Sequence, residues 1–118
     1  MIELIVLDYL KEKLSVPVKM KKDSDLKEFV LIKKAGSGQA EFINTAMLII
    51  QSYSTSLYKA ALLNEKVKKA MLGDGENEYG IITLNNVSSC KLNSDYEYTD
   101  TTTKEERYQA VYDLVYNE

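Results

Sequence analysis

The sequence predicts an α+β fold: a two-layer domain with a mostly antiparallel sheet and two helices packed on one face, in the order α-β-β-β-α-β-β. Three observations carry this. Apolar residues recur at helical spacing in two separated stretches, residues 2–14 and 54–72. The C-terminal third alternates apolar and polar residues with a period of two, the pattern of half-exposed antiparallel strands. Between them, residues 40–53 are apolar on both alternating faces, as a central strand requires.

Taken in order, Ile2, Ile5, Val6, Tyr9, Leu10 and Leu14 form the first helical stripe, with Glu3, Lys11 and Glu12 mostly off it. This helix ends near Ser15, because Pro17 disfavours helical geometry at Val16. Val16, Val18 and Met20 then alternate with Pro17, Lys19 and Lys21, and the chain's one proline suits an edge strand or a strand start. Residues 22–27 are polar and predict a loop; residues 28–34 (EFVLIKK) predict a short strand. Ala35, Gly36, Ser37 and Gly38 predict the turn that closes it. In the next strand Phe42, Ala46, Leu48 and Ile50 share one face, and Ile43, Met47 and Ile49 the other.

The second helix carries Leu57, Ala60, Leu63, Asn64, Val67 and Met71 at i, i+3, i+4 spacing. Ser54 or Thr55 can cap its start and Gly73 its end, and Lys66, Lys68 and Lys69 complement its dipole. Residues 73–80 are an acidic loop. From Ile81 the period is two: Leu92, Ser94, Tyr96 and Tyr98 face one way, and Lys91, Asn93, Asp95 and Glu97 the other. Residues 100–104 turn the chain. A last strand sets Tyr108, Ala110, Tyr112, Leu114 and Tyr116 opposite Gln109, Val111, Asp113 and Val115, pairing with its predecessor as a hairpin.

At 118 residues the chain fits one domain. A domain of this size buries roughly two thirds of its unfolded surface, enough for a core without disulfides or a structural metal. Apolar residues make up 45% and charged residues 28%, which argues against wholesale disorder. With 15 basic and 18 acidic residues the net charge is −3, unlike a dedicated nucleic-acid binder, although Lys19, Lys21 and Lys22 form a local basic strip. The first ten residues carry Glu3 and Asp8 and no leading positive charge; they do not match a signal peptide and are too short for a membrane span. With one cysteine, Cys90, an internal disulfide is impossible, and cytoplasmic synthesis is expected.

The chain contains no histidine, which excludes Ser-His-Asp and Cys-His catalysis and His-ligated zinc or iron. Gly36-Ser37-Gly38 does not complete a phosphate-binding loop, and a strand follows it. Asp74, Glu76 and Glu78 have the odd spacing of a calcium loop but lack its remaining ligands. Asp95, Glu97 and Asp100 could be paired carboxylates, yet beside Lys91 they match a solvated strand face. The sequon Asn86-Val87-Ser88 matters only in a secreted protein. No catalytic, cofactor or metal site is predicted. What stands out is nine tyrosines. Sheet and core packing is the plainer account of them; an interface is the functional one, with Tyr96, Tyr98, Tyr108, Tyr112 and Tyr116 as candidate contact residues. Two helices cannot readily cover both faces of the apolar strand, so a further subunit could cover the remainder.

The segment FINTA at residues 42–46, the helix SLYKAALLNEKV at 56–67, KLNSDY at 91–96 through DTTT at 100–103, and RYQAVYD at 107–113 resemble a small protein of tailed bacteriophages and prophages of Gram-positive bacteria. The resemblance spans nearly the whole chain, including the order of elements. It implies a structural, non-enzymatic protein of the head–tail junction, a tail terminator or tail-completion protein. Such proteins are similar in forming a ring, commonly a hexamer, on the end of the tail tube. The implied partners are copies of itself, the tail tube protein and the head connector protein, with DNA only passing through the lumen. The implied location is the host cytoplasm during assembly and then the virion junction. A closed ring needs two different patches on each subunit. A lumen without strong positive charge would suit sliding DNA, because cationic linings bind phosphates through counterion release. No catalytic or interface motif transfers from the family. The alternatives are a head-closure or minor capsid role, a small regulatory binding module outside viruses, and, with no motif behind it, a carboxylate-dependent hydrolase.

Overall fold

A computed structural model describes residues 1–41, 43–76, 79–99, 102 and 105–117 of the chain. The first helix, α1, spans Ile2–Lys13 and buries Ile2, Val6, Tyr9 and Leu10, the expected stripe. It stops where Leu14 turns extended, three residues ahead of Pro17. Strand β1, Val18–Lys19, is the two-residue edge of the sheet and runs parallel to β2, Phe29–Ala40. Proline has no N–H to donate; the Pro17 carbonyl instead accepts from Val30 N–H at 2.9 Å.

Strands β2 and β3, Ile43–Ser54, pair as a long antiparallel hairpin. The turn expected at residues 35–38 is not one. Gly36, Ser37 and Gly38 continue β2 opposite Met47, Ala46 and Thr45, and the register shifts between Lys34 and Gly36, leaving Ala35 as a bulge. Glycines permit a turn without imposing it, and continuing β2 gives the backbone groups of the first half of β3 their partners. The reversal between the two strands includes Glu41, whose φ of 48° is left-handed. Phe42, expected on the face of Ala46, Leu48 and Ile50, lies outside the described residues, as do Glu78 of the acidic loop and Asp100, Thr101, Thr103 and Lys104 of the last turn.

Helix α2 spans Leu57–Leu72. Its cap is Ser56, not Ser54 or Thr55: the Ser56 hydroxyl accepts from Lys59 N–H at 3.2 Å, while Ser54 is still paired within β3. Gly73, at φ 76°, ends the helix and donates to the Lys69 carbonyl, as expected. A short 3-10 helix, Gly80–Thr83, occupies the stretch where alternation was expected to begin. Gly80 is required there, because at φ 74° a Cβ would lie 2.4 Å from the Met71 carbonyl oxygen. Strand β4, Val87–Glu97, then pairs with β5, Glu106–Tyr116, as the expected antiparallel hairpin.

The sheet order is β1-β2-β3-β5-β4, so the last strand inserts beside the central one. Both helices lie on one face, giving the expected α+β architecture and element order. Their apolar stripes meet Val30, Ile32, Leu48, Ile50, Tyr112 and Leu114 in one core. On the opposite face a smaller cluster, Phe29, Leu31 and Tyr53, packs with Leu26. The segment ahead of β2 therefore closes one end of that face and leaves the other open. No helix among the described residues is long and apolar enough to cross a membrane.

Candidate protein interface

The open sheet face is built by alternation, and a bulge in β4 decides which of that strand's later side chains reach it. In β5 the odd positions Arg107, Gln109, Val111, Asp113 and Val115 point away from the helices, and the even positions toward them. In β4, Leu92 pairs with Tyr112 and packs toward the helices. The register then shifts between Leu92 and Ser94, so that Ser94 pairs with Val111 and Tyr96 with Gln109. Asn93 is the extra residue, and it switches the alternation.

The five candidate tyrosines are consequently not one surface. Tyr96 and Tyr98 stand on the open face, each 44% exposed, their ring centroids 6.0 Å apart. Tyr108 is half-buried on the helix side. Tyr112 is fully buried and Tyr116 nearly so, both in the helix-side core. Tyr112 therefore offers no surface in the folded subunit, and Tyr116 very little. The same bulge corrects the expected pairing of faces in β4, where Leu92 and Tyr96 now point in opposite directions.

Sequence reasoning missed a polar chain that supports the exposed tyrosines. An Arg107 guanidinium nitrogen donates to the Tyr53 hydroxyl at 2.9 Å, and that hydroxyl donates to Gln51 Oε1 at 2.9 Å. Gln51 Nε2 donates to Gln109 Oε1 at 2.7 Å, and Gln109 Nε2 donates to the Tyr96 hydroxyl at 2.6 Å. Donation runs one way from arginine to Tyr96, so the Tyr96 hydroxyl keeps its own hydrogen to donate outward. Arg107 also lies over the Tyr98 ring, 4.6 Å from its centroid, and donates to the Tyr98 carbonyl. Tyr53 stacks on Phe29 with centroids 4.4 Å apart. The signal in the sequence was two glutamines, Gln51 and Gln109, inside otherwise apolar strands.

At the other end of this face, Ile43 is 52% and Met47 39% exposed, with Ile49 and Val115 half-buried behind them. Strand β3 is central, as expected, but among the described residues this end of it is not covered on the second face. One face thus carries a rigid polar end and an apolar end, the composition of protein contact surfaces.

The carboxylates resolve differently. Asp95 faces α2, accepting from Asn64 Nδ2 at 3.1 Å and from Lys68 Nζ at 3.0 Å. It fastens the sheet to α2, an ion pair and not an acid/base dyad. The hydrogen bonds to Glu65 and then to Asp95 raise the Lys68 pKa and hold the amine charged. Lys22 is likewise raised, chiefly by its hydrogen bond to Glu105, and this pair ties the segment ahead of β2 to the start of β5. Burial, and secondarily the Asp113 charge, pushes the Cys90 thiol up to about 12, so it is a packing residue at neutral pH and no nucleophile. Among the described residues no three cysteine or carboxylate side chains stand together as a metal site.

No protein-family model matches the chain, and no curated protein matches it.

Proposed function

We propose that this protein is a structural subunit of the head–tail junction of a tailed phage or prophage, a tail terminator that caps the tail tube as a ring and joins it to the head connector. The observation that carries this reading is the sheet face away from the helices. It presents Ile43 and Met47 at one end and a braced Tyr96–Tyr98 pair at the other, and among the described residues all four stay at least 39% exposed. Burying a face of this kind releases water from apolar area and from rigid aromatic groups that lose little entropy, which favours assembly. The resemblance of the chain's segments to tail-completion proteins supplies the place of that assembly. The role is one of contact and not of catalysis, and DNA is a passenger in the lumen.

The test is deletion of the gene followed by electron microscopy of the particles. Tails of irregular length and heads without tails are expected, and adding purified protein to tail tubes should place a ring on the tube end. Normal tails joined to heads in the deletion strain would overturn the proposal.

A further inference from the structure

On the helix side, the chain leaving α1 and the outer face of α2 enclose a groove of about 690 Å³. Its floor is apolar: Leu14, Val16 and Leu62, the last 45% exposed, with Leu63 and Ala70 beneath. Its rim holds Lys13, Lys59, Lys66 and Lys69 against one carboxylate, Glu28, a local charge of +3 on a chain whose net charge is −3. Among the described residues none of Lys59, Lys66 and Lys69 takes part in an ion pair. A merely solvated helix face would set its lysines around a polar floor; here long cationic side chains frame unfilled apolar surface. Such a groove fits a segment with negative charges and an apolar anchor.

The chain itself carries that segment. No lysine or arginine occurs from residue 70 to residue 90. Just past α2, Asp74 and Glu76 are exposed, with Glu76 N–H donating to Asp74 Oδ1 at 2.9 Å, and Tyr79 is 59% exposed. The short 3-10 helix packs on α2 and β4, whereas α1 packs on β1, β2 and α2. Groove and turn are different patches: the groove runs along α2 from Lys59 to Ala70, and the turn begins past Gly73, beyond the helix end.

We propose that the groove receives the acidic turn of a second copy of the chain, with Asp74 and Glu76 against the lysines and Tyr79 on the apolar floor. Two different patches meet in such a contact, so each copy uses both once and the assembly propagates head to tail into a ring or filament. The inference deepens the ring reading above, on which it rests, by naming the two patches.

Charge reversal with restoration tests it, read by sedimentation velocity of the full chain. The wild-type chain should self-associate, less so at high salt. Lys59→Glu with Lys66→Glu, or Asp74→Lys with Glu76→Lys, should each weaken association about tenfold or more, and the combination should restore it. Lys66→Gln, which only neutralises one charge, should give a smaller loss of the same sign. All of these positions are exposed, and an unchanged melting temperature confirms that each variant folds. A wild-type chain that stays monomeric at every soluble concentration, reversals without effect, or a combination no better than either pair would overturn the contact. A chain insensitive to both reversals that still caps tail tubes sinks this inference and spares the ring. Restored self-association in a chain that never caps tubes keeps the contact and sinks the ring reading.

Discussion

Tyr112 carries two opposing contributions in one side chain. Its ring fills the centre of the core between α2 and the sheet, while its hydroxyl is buried with no hydrogen-bond partner among the described residues. Burial pushes that hydroxyl's pKa well above the ordinary phenol value. Removing the ring by Tyr112→Ala should cost about 3–5 kcal/mol by leaving a cavity. Removing only the oxygen by Tyr112→Phe should raise stability by about 1 kcal/mol, because an unpaired buried hydroxyl is a penalty. Urea denaturation of both variants reads the difference, and a fall for Tyr112→Phe would place a bridging water on the hydroxyl. Cys90 gives a prediction in pH. Its folded pKa lies above its unfolded value, so its contribution is full below about pH 9 and is lost as pH rises toward its folded value of about 12. Cys90→Ala should therefore flatten the alkaline decline in melting temperature. An equally steep decline in the variant would assign it to Tyr112, Lys22 and Lys68, whose pKa values are also raised. At this scale the sequence was half legible. The number of tyrosines marked them as important, but exposure depends on which side of Asn93 a residue lies, and a bulge has no residue signature of its own.

The elements were legible wherever the pattern was long. Both helices and the β4–β5 hairpin follow from apolar spacing, because burying one face fixes the period. Their ends were less so. Ser54, Thr55 and Ser56 are all capping residue types, and what chooses Ser56 is the pairing of β3 with β5, which holds Ser54 opposite Glu106. Ser56→Ala should accordingly lower stability by about 1 kcal/mol, and Thr55→Ala much less, in thermal melts followed by circular dichroism. Equal losses at the two positions would refute that assignment. The misplaced turn has the same origin. Gly36 and Gly38 carry the local turn signal, yet the demand of β3 for a partner along its length extends β2 through them and moves the reversal to Glu41. A left-handed glutamate costs about 1–2 kcal/mol, and glycine at that position loses roughly 0.5–1 kcal/mol in the unfolded chain. Glu41→Gly should thus stabilise the hairpin by about 0.5–1 kcal/mol. A turn truly centred at residues 35–38 would leave this substitution neutral or destabilising.

Across the whole molecule, the α+β class followed from the order of periods, since a helical stripe and an alternating strand each demand a partner layer. What the sequence could not express is how far each strand is paired, and this sets a gradient of stability. β3 has a neighbour on both sides along its length, and β5 lies between β3 and β4. β2 has β1 as an outer neighbour only at Val30 and Leu31; from there to Ala40 its outer edge has no strand partner among the described residues. Residues 33–40 are also exposed, with Lys33, Lys34 and the Ala35 bulge the features that discourage edge-to-edge pairing. Local opening of this arm breaks one ladder of hydrogen bonds and exposes little apolar surface, whereas opening β3 beside Leu48 and Ile50 disrupts the core. Amide hydrogen exchange should be slowest at Leu48, Ile50, Ala110 and Tyr112, at the rate of global unfolding, and faster by orders of magnitude between Lys34 and Gln39. If the arm packs on a neighbouring subunit, its exchange should slow in assembled rings while the core amides stay unchanged. Equal protection of arm and core in the monomer would contradict the gradient.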